Sequence, residues 1–392
     1  MSGLGAAARL RRSGRNPGQG HTSVVGVYGL LGLTVILFVA FALLLPDTFP
    51  TSTNIRAILT NQSIPAILAL GATIPIVTGR FDLSIGFGIG LAHVVAMWLI
   101  VAHGVAWPVV ALLLLIGGVV VGLVNGALVE FAQIDSFIAT LGTGSILYAL
   151  TGWITGGARI VPGIDGLPSG FTNLTNSRMI GLPITFWYVV GIVIILWLCL
   201  EHLPIGRYLY VVGANPRAAE LVGISRRKIV ILAFVGSGVV TAFAGVLLAA
   251  QQQIGDPSAG NSYLLPAFVG ALLGSTTIKP GRANAVGTLV AVSILAIGLS
   301  GLQQKGAAFW VTPLFNGLTL LAAVGMAGYA ARRRQRAGTA VGARSRPVTD
   351  VDHEPPPGPT GSGTGNAGGA GPSSPGPSSP DPSSNDTAPL AH

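Results

Sequence analysis

The run VAWPVVALLLLIGGVVVGLVNGALV, residues 105–129, contains no charged side chain, and its length decides what kind of fold the chain can adopt. A helix rises about 1.5 Å per residue, so roughly 20 apolar residues cross a hydrocarbon layer of about 30 Å. The run therefore reads as a membrane span. Further apolar runs lie near 24–45, 57–78, 85–102, 137–155, 183–203, 229–250, 263–275, 284–302 and 312–330. Half of the 392 residues are hydrophobic and 9% are charged, against about 25% charged in an ordinary soluble domain. The sequence predicts an all-α polytopic membrane protein of about ten transmembrane helices embedded in the lipid bilayer. The run at 263–275 is short and the one at 85–102 is rich in glycine. Both read as broken or re-entrant helices, which membranes tolerate only where the backbone is buried in protein or lines a wet cavity.

A net charge of +9 raises the question of nucleic acid. Nucleic-acid binders gather their basic residues on one soluble face, whereas here they sit in connectors and tails. The charges describe topology. With the N-terminus inside, Arg9, Arg11, Arg12, Arg15, Arg80, Arg207, Arg217, Arg226, Arg227, Lys228, Lys279, Arg282, Arg332, Arg333, Arg334 and Arg336 fall on the inner side. Only Arg56, Arg159, Arg178 and Lys305 fall outside. This bias predicts that both termini are cytoplasmic. Ten spans divide into two halves of five, and because five is odd the second half inserts upside down relative to the first. The hairpin turning at Arg80 and the one turning at Lys279 and Arg282 look alike, each a short basic turn between apolar runs.

Residues 1–22 read as a cytoplasmic N-terminal segment, 23–336 as the transmembrane domain, and 337–392 as a disordered Gly/Pro/Ser-rich cytoplasmic tail. The lone Cys199 precludes an internal disulfide, and no His/Cys cluster offers a metal site. A phosphate-cradling loop needs a lysine after glycine, and none of Lys228, Lys279 and Lys305 follows one. The chain is thus not an enzyme in isolation. His93 is the one ionisable residue well inside a run; Asp82, Glu130 and Asp135 fall in cytoplasmic connectors. That leaves no intramembrane relay of the kind a proton- or sodium-coupled carrier keeps.

Small residues mark packing faces. Gly118, Gly122 and Gly126 recur every fourth residue, which strips one helix face of side chains and lets another helix approach its backbone. Ser237, Thr241 and Gly245 repeat the pattern, and Asn125 reads as hydrogen-bonding glue between helices. Asp82, at a cytoplasmic turn, reads as a cap for a helix beginning at Leu83 and Ser84.

VGANPRAAELVGI, residues 212–224, is different: a short water-soluble helix with both ends finished. Asn215 suits the N-cap, Pro216 the first turn and Gly223 a left-handed C′ position. A helix this short is marginal alone and needs a surface to pack against. Ala218, Leu221 and Val222 share one face, with Arg217 and Glu220 at its rim and Ala219 and Ile224 completing the segment.

The stretches TGRFDLSIGFGIGLA (78–92), GLVNGALVEFAQIDSFIATLGTGSIL (122–147), GRYLYVVGANPRAAELVGISRRKI (206–229) and GSGVVTAFAGVLLAA (236–250) resemble the ribose/xylose/arabinose-type permeases of bacterial ATP-binding cassette importers. The likeness covers about residues 50 to 330 and preserves the order of four motifs. It implies the permease subunit of a sugar importer in the bacterial inner membrane, working by alternating access. It also implies a second permease copy or homologue, an extracytoplasmic solute-binding protein, a sugar-like solute and a cytoplasmic ATPase that holds ATP and magnesium. Segment 204–228 becomes the coupling segment, with its capped helix seated in a cleft of the ATPase. Gly79, Asp82, Leu83, Ser84 and Gly86 form the cytoplasmic turn motif, where Arg80 and Phe81 replace the family's usual Gly-Ile. LLGSTTIKPGRANAVGT likewise departs from the usual Gly-Gly-Thr-Ser pattern of the later hairpin. A stand-alone secondary transporter or facilitator, or a structural membrane scaffold, remains open on the residues alone, and the pore-lining residues are not readable from one sequence.

Overall fold

The computed structural model describes residues 21–279, 281–322 and 324–325. The N-terminal basic cluster and the Gly/Pro/Ser-rich tail lie outside the described residues. Helix α1 spans His21–Leu44, α2 Ser52–Val77, α3 Ser84–Met97, α4 Trp107–Glu130 and α5 Ser136–Thr155. A short helix α6 (Ser169–Asn176) and a two-stranded ribbon, β1 (Arg178–Met179) with β2 (Leu182–Pro183), lead to α7 (Ile184–Trp197). Then come α8 (Pro204–Ala214), α9 (Pro216–Leu221), α10 (Arg226–Gln252), α11 (Asn261–Gly274) and α12 (Ala285–Gln304), and α13 (Val311–Ala322). Helices α3 and α7 each continue through a wide π turn, to Ala102 and His202.

Seven of these helices are long and apolar enough to cross a membrane; Tyr28–Leu44, α11 and α13 are shorter. The chain is an all-α, multi-pass membrane protein. The third apolar run spans 19 residues once its π turn is included, while the eighth stays short at 14.

Side-chain caps set where several helices begin. Thr51 accepts from the Asn54 N–H, Asp135 from Phe137, Asn215 from Ala218 and Asn284 from Gly287, each satisfying a donor the first turn leaves open. Helices α2 and α10 form the centre. From Ser63 to Pro75 every residue of α2 is buried, and α10 is buried along most of its length. Gly118, Gly122 and Gly126 lie against the α10 backbone; a methyl group on Gly126 would stand 2.8 Å from the Ile231 Cα. The opposite face of α4 shows Leu112, Ile116 and Val120 to the surroundings, as a lipid-facing helix must.

The internal repeat pairs different hairpins from those the turn charges suggest. Helix α10 packs on α3 and α4, and α2 packs on α11 and α12. The equivalent units are therefore α2–turn–α3 and α10–turn–α11, not α2–α3 and α11–α12. Gly79 and Gln253 open the two turns in the left-handed region, at φ 75° and 56°. Three residues on, Asp82 and Asp256 each accept from the N–H and hydroxyl of a serine two residues later. The sequences DLSIG (82–86) and DPSAG (256–260) carry the match, and the same offset relates Gly71 to Gly245.

Candidate functional site

The turn between α2 and α3 is sunk among helices. Left-handed Gly79 ends α2, after which the Phe81 and Leu83 N–H groups donate to the hydroxyls of Ser136 (3.2 Å) and Thr140 (3.0 Å) on α5. Asp82 is 2% exposed. Its Oδ1 accepts from the Ser84 N–H (3.1 Å) and hydroxyl (2.5 Å), and its Oδ2 accepts from the Ser237 hydroxyl on α10 at 2.7 Å. Asn125 donates to the Ser84 hydroxyl (2.8 Å) and accepts from Thr143 (2.6 Å), so one polar network joins α3, α4, α5 and α10.

The structure adds to two expectations. Asp82 does accept a backbone N–H at the start of the next helix, and it does so buried. Helix α3 begins at Ser84, and the second carboxylate oxygen is committed to another helix. Ser237 is likewise a hydrogen-bond donor and not merely a small packing residue. Thr241, one turn further along α10, has a buried hydroxyl without a partner, facing a cavity of about 120 Å³ that Asp82, Ser84 and Gly118 also line. Gly245, another turn on, meets Ala92 and Ile89 of α3. Gly86 receives Leu264 of α11, whose Cβ would lie 2.5 Å from an added methyl group. His93 is fully buried; its Nε2 accepts from the Asp256 N–H at 3.0 Å.

Arg80, where the turn departs from the family pattern, pairs with Glu130 at 3.2 Å. Glu130 ends α4 fully buried, and its other oxygen takes the Arg226 Nε at 2.9 Å. Arg226 opens α10 and stands 3.7 Å from Glu220 of α9. A contiguous chain of charges thus runs from α9 to the buried turn. Phe81 is half-exposed and leans on the Phe268 ring.

Helix α9 has the two finished ends its sequence calls for. Asn215 Oδ1 accepts from the Ala218 N–H at 3.1 Å, Gly223 is left-handed at φ 82°, and the Ile224 N–H closes back on the Ala219 carbonyl at 2.9 Å. Ala219 is the anchor, fully buried, while Arg217, Ala218, Glu220, Leu221 and Val222 are exposed. Leu221 shows 88% of its surface. Exposed large apolar side chains on a capped helix outside the spans mark an unfilled contact.

Helix α8 ties this segment to the other basic turn, a connection the sequence reading missed. The Tyr210 hydroxyl donates to the Ala283 carbonyl (2.8 Å), and the Arg282 guanidinium lies 3.8 Å over the Tyr210 ring. Burial, with Glu201 adding and Arg282 opposing, pushes the Tyr210 hydroxyl up to about 12, so it keeps the proton it donates. Lys279 pairs with Glu201, and Gly213 presses on the Val77 carbonyl at the end of α2. A tyrosine three residues after Arg207, between two basic turns, was the available signal.

At the other end, the Asp256 turn carries an ion pair to Arg159 at 2.9 Å and a backbone bridge between Ile160 and Gly255. The Ser258 hydroxyl and N–H hold the Asp256 carboxyl below its usual range.

A bundle of apolar helices with a buried polar core and charged, partly exposed turns defines a multi-pass membrane protein. Residues 54–324 match the family described as "Branched-chain amino acid transport system / permease component", and the chain belongs to that family of bacterial inner-membrane permeases. It is 30% identical over 290 residues to the ribose import permease protein RbsC of Haemophilus influenzae, an alignment covering 74% of this chain and 89% of the relative. Against RbsC of Bacillus subtilis identity is 33% over 302 residues, covering 76% and 92%. Against the autoinducer 2 import system permease protein LsrD of Escherichia coli it is 31% over 301 residues, covering 75% and 89%. No solved structure matches the chain.

Proposed function

We propose that this chain is the membrane-spanning subunit of an ATP-driven importer for a monosaccharide or similar small polar solute. The basic end is cytoplasmic. Ribose and autoinducer 2 are what the relatives' names specify, and a permease that binds no nucleotide itself draws its energy from a separate ATPase carrying ATP and magnesium. A solute-binding protein delivers the solute at the opposite end, and a second permease copy or homologue completes the pathway.

The observation that carries the reading is the exposed apolar face of α9, joined by charges to the sunken turn. An ATPase that grips Leu221 and Val222 moves Glu220 and Arg226 with them. Arg226 shares Glu130 with Arg80, and Arg80 is two residues from Asp82, which holds α3 to α10. Motion at the docking face is thereby delivered to helices that line the polar core. The test is co-expression with the ATPase and binding protein encoded beside it. Uptake of D-ribose that requires the ATPase supports the reading; uptake by the permease alone would return the chain to the secondary carriers.

A further inference from the structure

Helix α5 touches both of the turns that the internal repeat relates. At its basic end, Ser136 and Thr140 accept the Phe81 and Leu83 N–H groups of the α2–α3 turn. Past its other end, residues 156–168 form a strap that reaches the α10–α11 turn. Ile160 and Gly255 exchange two backbone hydrogen bonds, at 2.9 and 2.8 Å, and Arg159 pairs with Asp256 at 2.9 Å. One helix of 20 residues and its extension thus connect two turns on opposite sides of the membrane.

The two attachments differ in kind. Ser136 and Thr140 are buried and sit on the helix itself. The strap hangs between left-handed glycines, Gly156 and Gly157 at φ 59° and 81° on one side and Gly166 at φ 68° on the other. Around each of the three, nothing among the described residues lies within 4 Å of an added methyl group, so the backbone can turn there without collision. Arg159 keeps 65% of its side chain exposed, which makes its ion pair a weak one. Ile160 and Leu167 rest on the apolar cluster around Met97 and Phe171, whereas Val161 and Ile164 between them are exposed. On its other side the turn is held by α3, where His93 accepts the Asp256 N–H.

We infer that Arg159 and Ile160 are positioning residues that latch the α10–α11 turn to α5, and that the latch opens and recloses in each transport cycle; this rests on the importer reading above. The turn joins α10, which Asp82 holds through Ser237, to α11, whose approach abuts α3 where Gly260 meets Gly86 and Gly90. A shift of α11 against α3 moves the turn, and a strap bonded to it must follow or let go. Following would drag α5, whose start is fixed to the buried α2–α3 turn. Letting go breaks two backbone bonds and one exposed ion pair, and the glycines at either end of the strap take up the rotation. Through α5, the closed latch ties the position of one turn to that of its counterpart across the membrane.

The test uses the complete importer, with Cys199→Ser removing the only cysteine. An antiparallel pair that exchanges both backbone bonds has Cα atoms about 5.5 Å apart, within disulfide reach. Ile160→Cys with Gly255→Cys is therefore expected to cross-link in the resting complex. The cross-link is expected to abolish D-ribose uptake, and a reductant to restore it, a recovery that a folding defect would not show. In a second measurement the single variant Ile160→Cys meets a membrane-impermeant maleimide from outside. Labelling is expected to be slow at rest and several-fold faster while the complex hydrolyses ATP, because opening exposes the strap. The proposal is overturned if no cross-link forms at rest, if the cross-linked complex transports at the wild-type rate, or if labelling is equally fast with and without ATP. Where the reduced double variant is itself inactive, the labelling rates decide. A wild-type complex that hydrolyses ATP without taking up D-ribose strikes the assigned solute instead, and the same rates still measure the latch.

Discussion

Gly86 and Gly260, corresponding positions in the two halves of the chain, touch each other: a methyl group on Gly260 would press into the Gly86 carbonyl oxygen and stand 2.8 Å from the Gly90 Cα. Equivalent residues can meet only near the axis relating their repeats, so that axis passes between α3 and the start of α11. The space is closed by backbone, which cannot swing aside as a flexible side chain can. Gly260→Ala is expected to destabilise the purified protein by about 1–3 kcal/mol, read as a lower melting temperature in detergent. Gly142→Ala, where nothing lies within 4 Å, should raise it slightly through helix propensity.

Asp82→Ala removes the acceptor for three donors at once and leaves the Ser84 and Ser237 hydroxyls buried without it. The expected loss is about 3 kcal/mol, because three hydrogen bonds of about 0.5–1.5 kcal/mol each are lost and the orphaned donors add their own cost. Asp82→Asn keeps Oδ1 for Ser84, and Ser237 can rotate its hydroxyl to accept from the new amide. It should lose less than half as much. Thermal unfolding of the two variants decides; equal losses would mean that the amide does not replace the hydrogen bonds of the carboxyl group.

Glu130 serves two arginines, Arg80 at 3.2 Å and Arg226 at 2.9 Å, and Arg226 has a more distant, exposed second partner in Glu220 at 3.7 Å. Glu130→Gln leaves Arg80 and Arg226 facing each other across a buried amide, with only Glu220 beside Arg226 as compensation among the described residues, an arrangement expected to cost about 3 kcal/mol. Arg226→Gln keeps the Arg80 pair and should cost clearly less. Melting temperatures and membrane abundance of both variants test the order; a more severe Arg226→Gln would show that Glu220 is the partner that counts.

The exposed face of α9 makes a prediction about binding. Ala218→Arg places a long charged side chain beside Leu221 and Val222, and removing that charge from water without a partner costs several kcal/mol. The variant should reach the membrane at normal abundance, since insertion depends on the spans and the Lys/Arg bias. It should fail to co-purify with the ATPase and lose sugar uptake. Ala132→Arg, at another exposed position of a basic-end connector, is the control; Gln133 is unsuited because its side chain donates to the Glu130 carbonyl at 2.6 Å and its backbone is left-handed. An Ala218→Arg variant that still binds the ATPase would reduce α9 to an ordinary loop helix.

Long apolar runs, the glycine face of α4 and the two ends of α9 were legible because each depends on local spacing or on a cap within four residues. The depth of Asp82 was not. Two residues from Arg80 in a polar turn it reads as the cap of a cytoplasmic helix end, and only the packing of α5 and α10 shows that Ser136, Thr140 and Ser237 take up the turn's polar groups. The repeat was misassigned for a physical reason. Corresponding turns of an inverted repeat face opposite sides of the membrane, so the positive-inside rule drives their charges apart. Arg80 therefore has Ile254 as its counterpart, and matching basic turn to basic turn selects the wrong pair. The hydrogen bond from Gln304 to Asn54 had no signal in one sequence, since the fold alone brings the two residues together.

Glu130 offers one oxygen to a residue of the α2–α3 turn and the other to the first residue of α10. Each arm is held independently, and the carboxylate itself ends a helix locked by glycine contacts to its neighbour. Mechanically this is a fulcrum. On the importer reading proposed above, a push that reached Arg226 would tilt its arm without releasing the far one, and the displacement would be passed on as rotation about a fixed point. A stroke of that kind would need neither ion pair to break and re-form in each cycle.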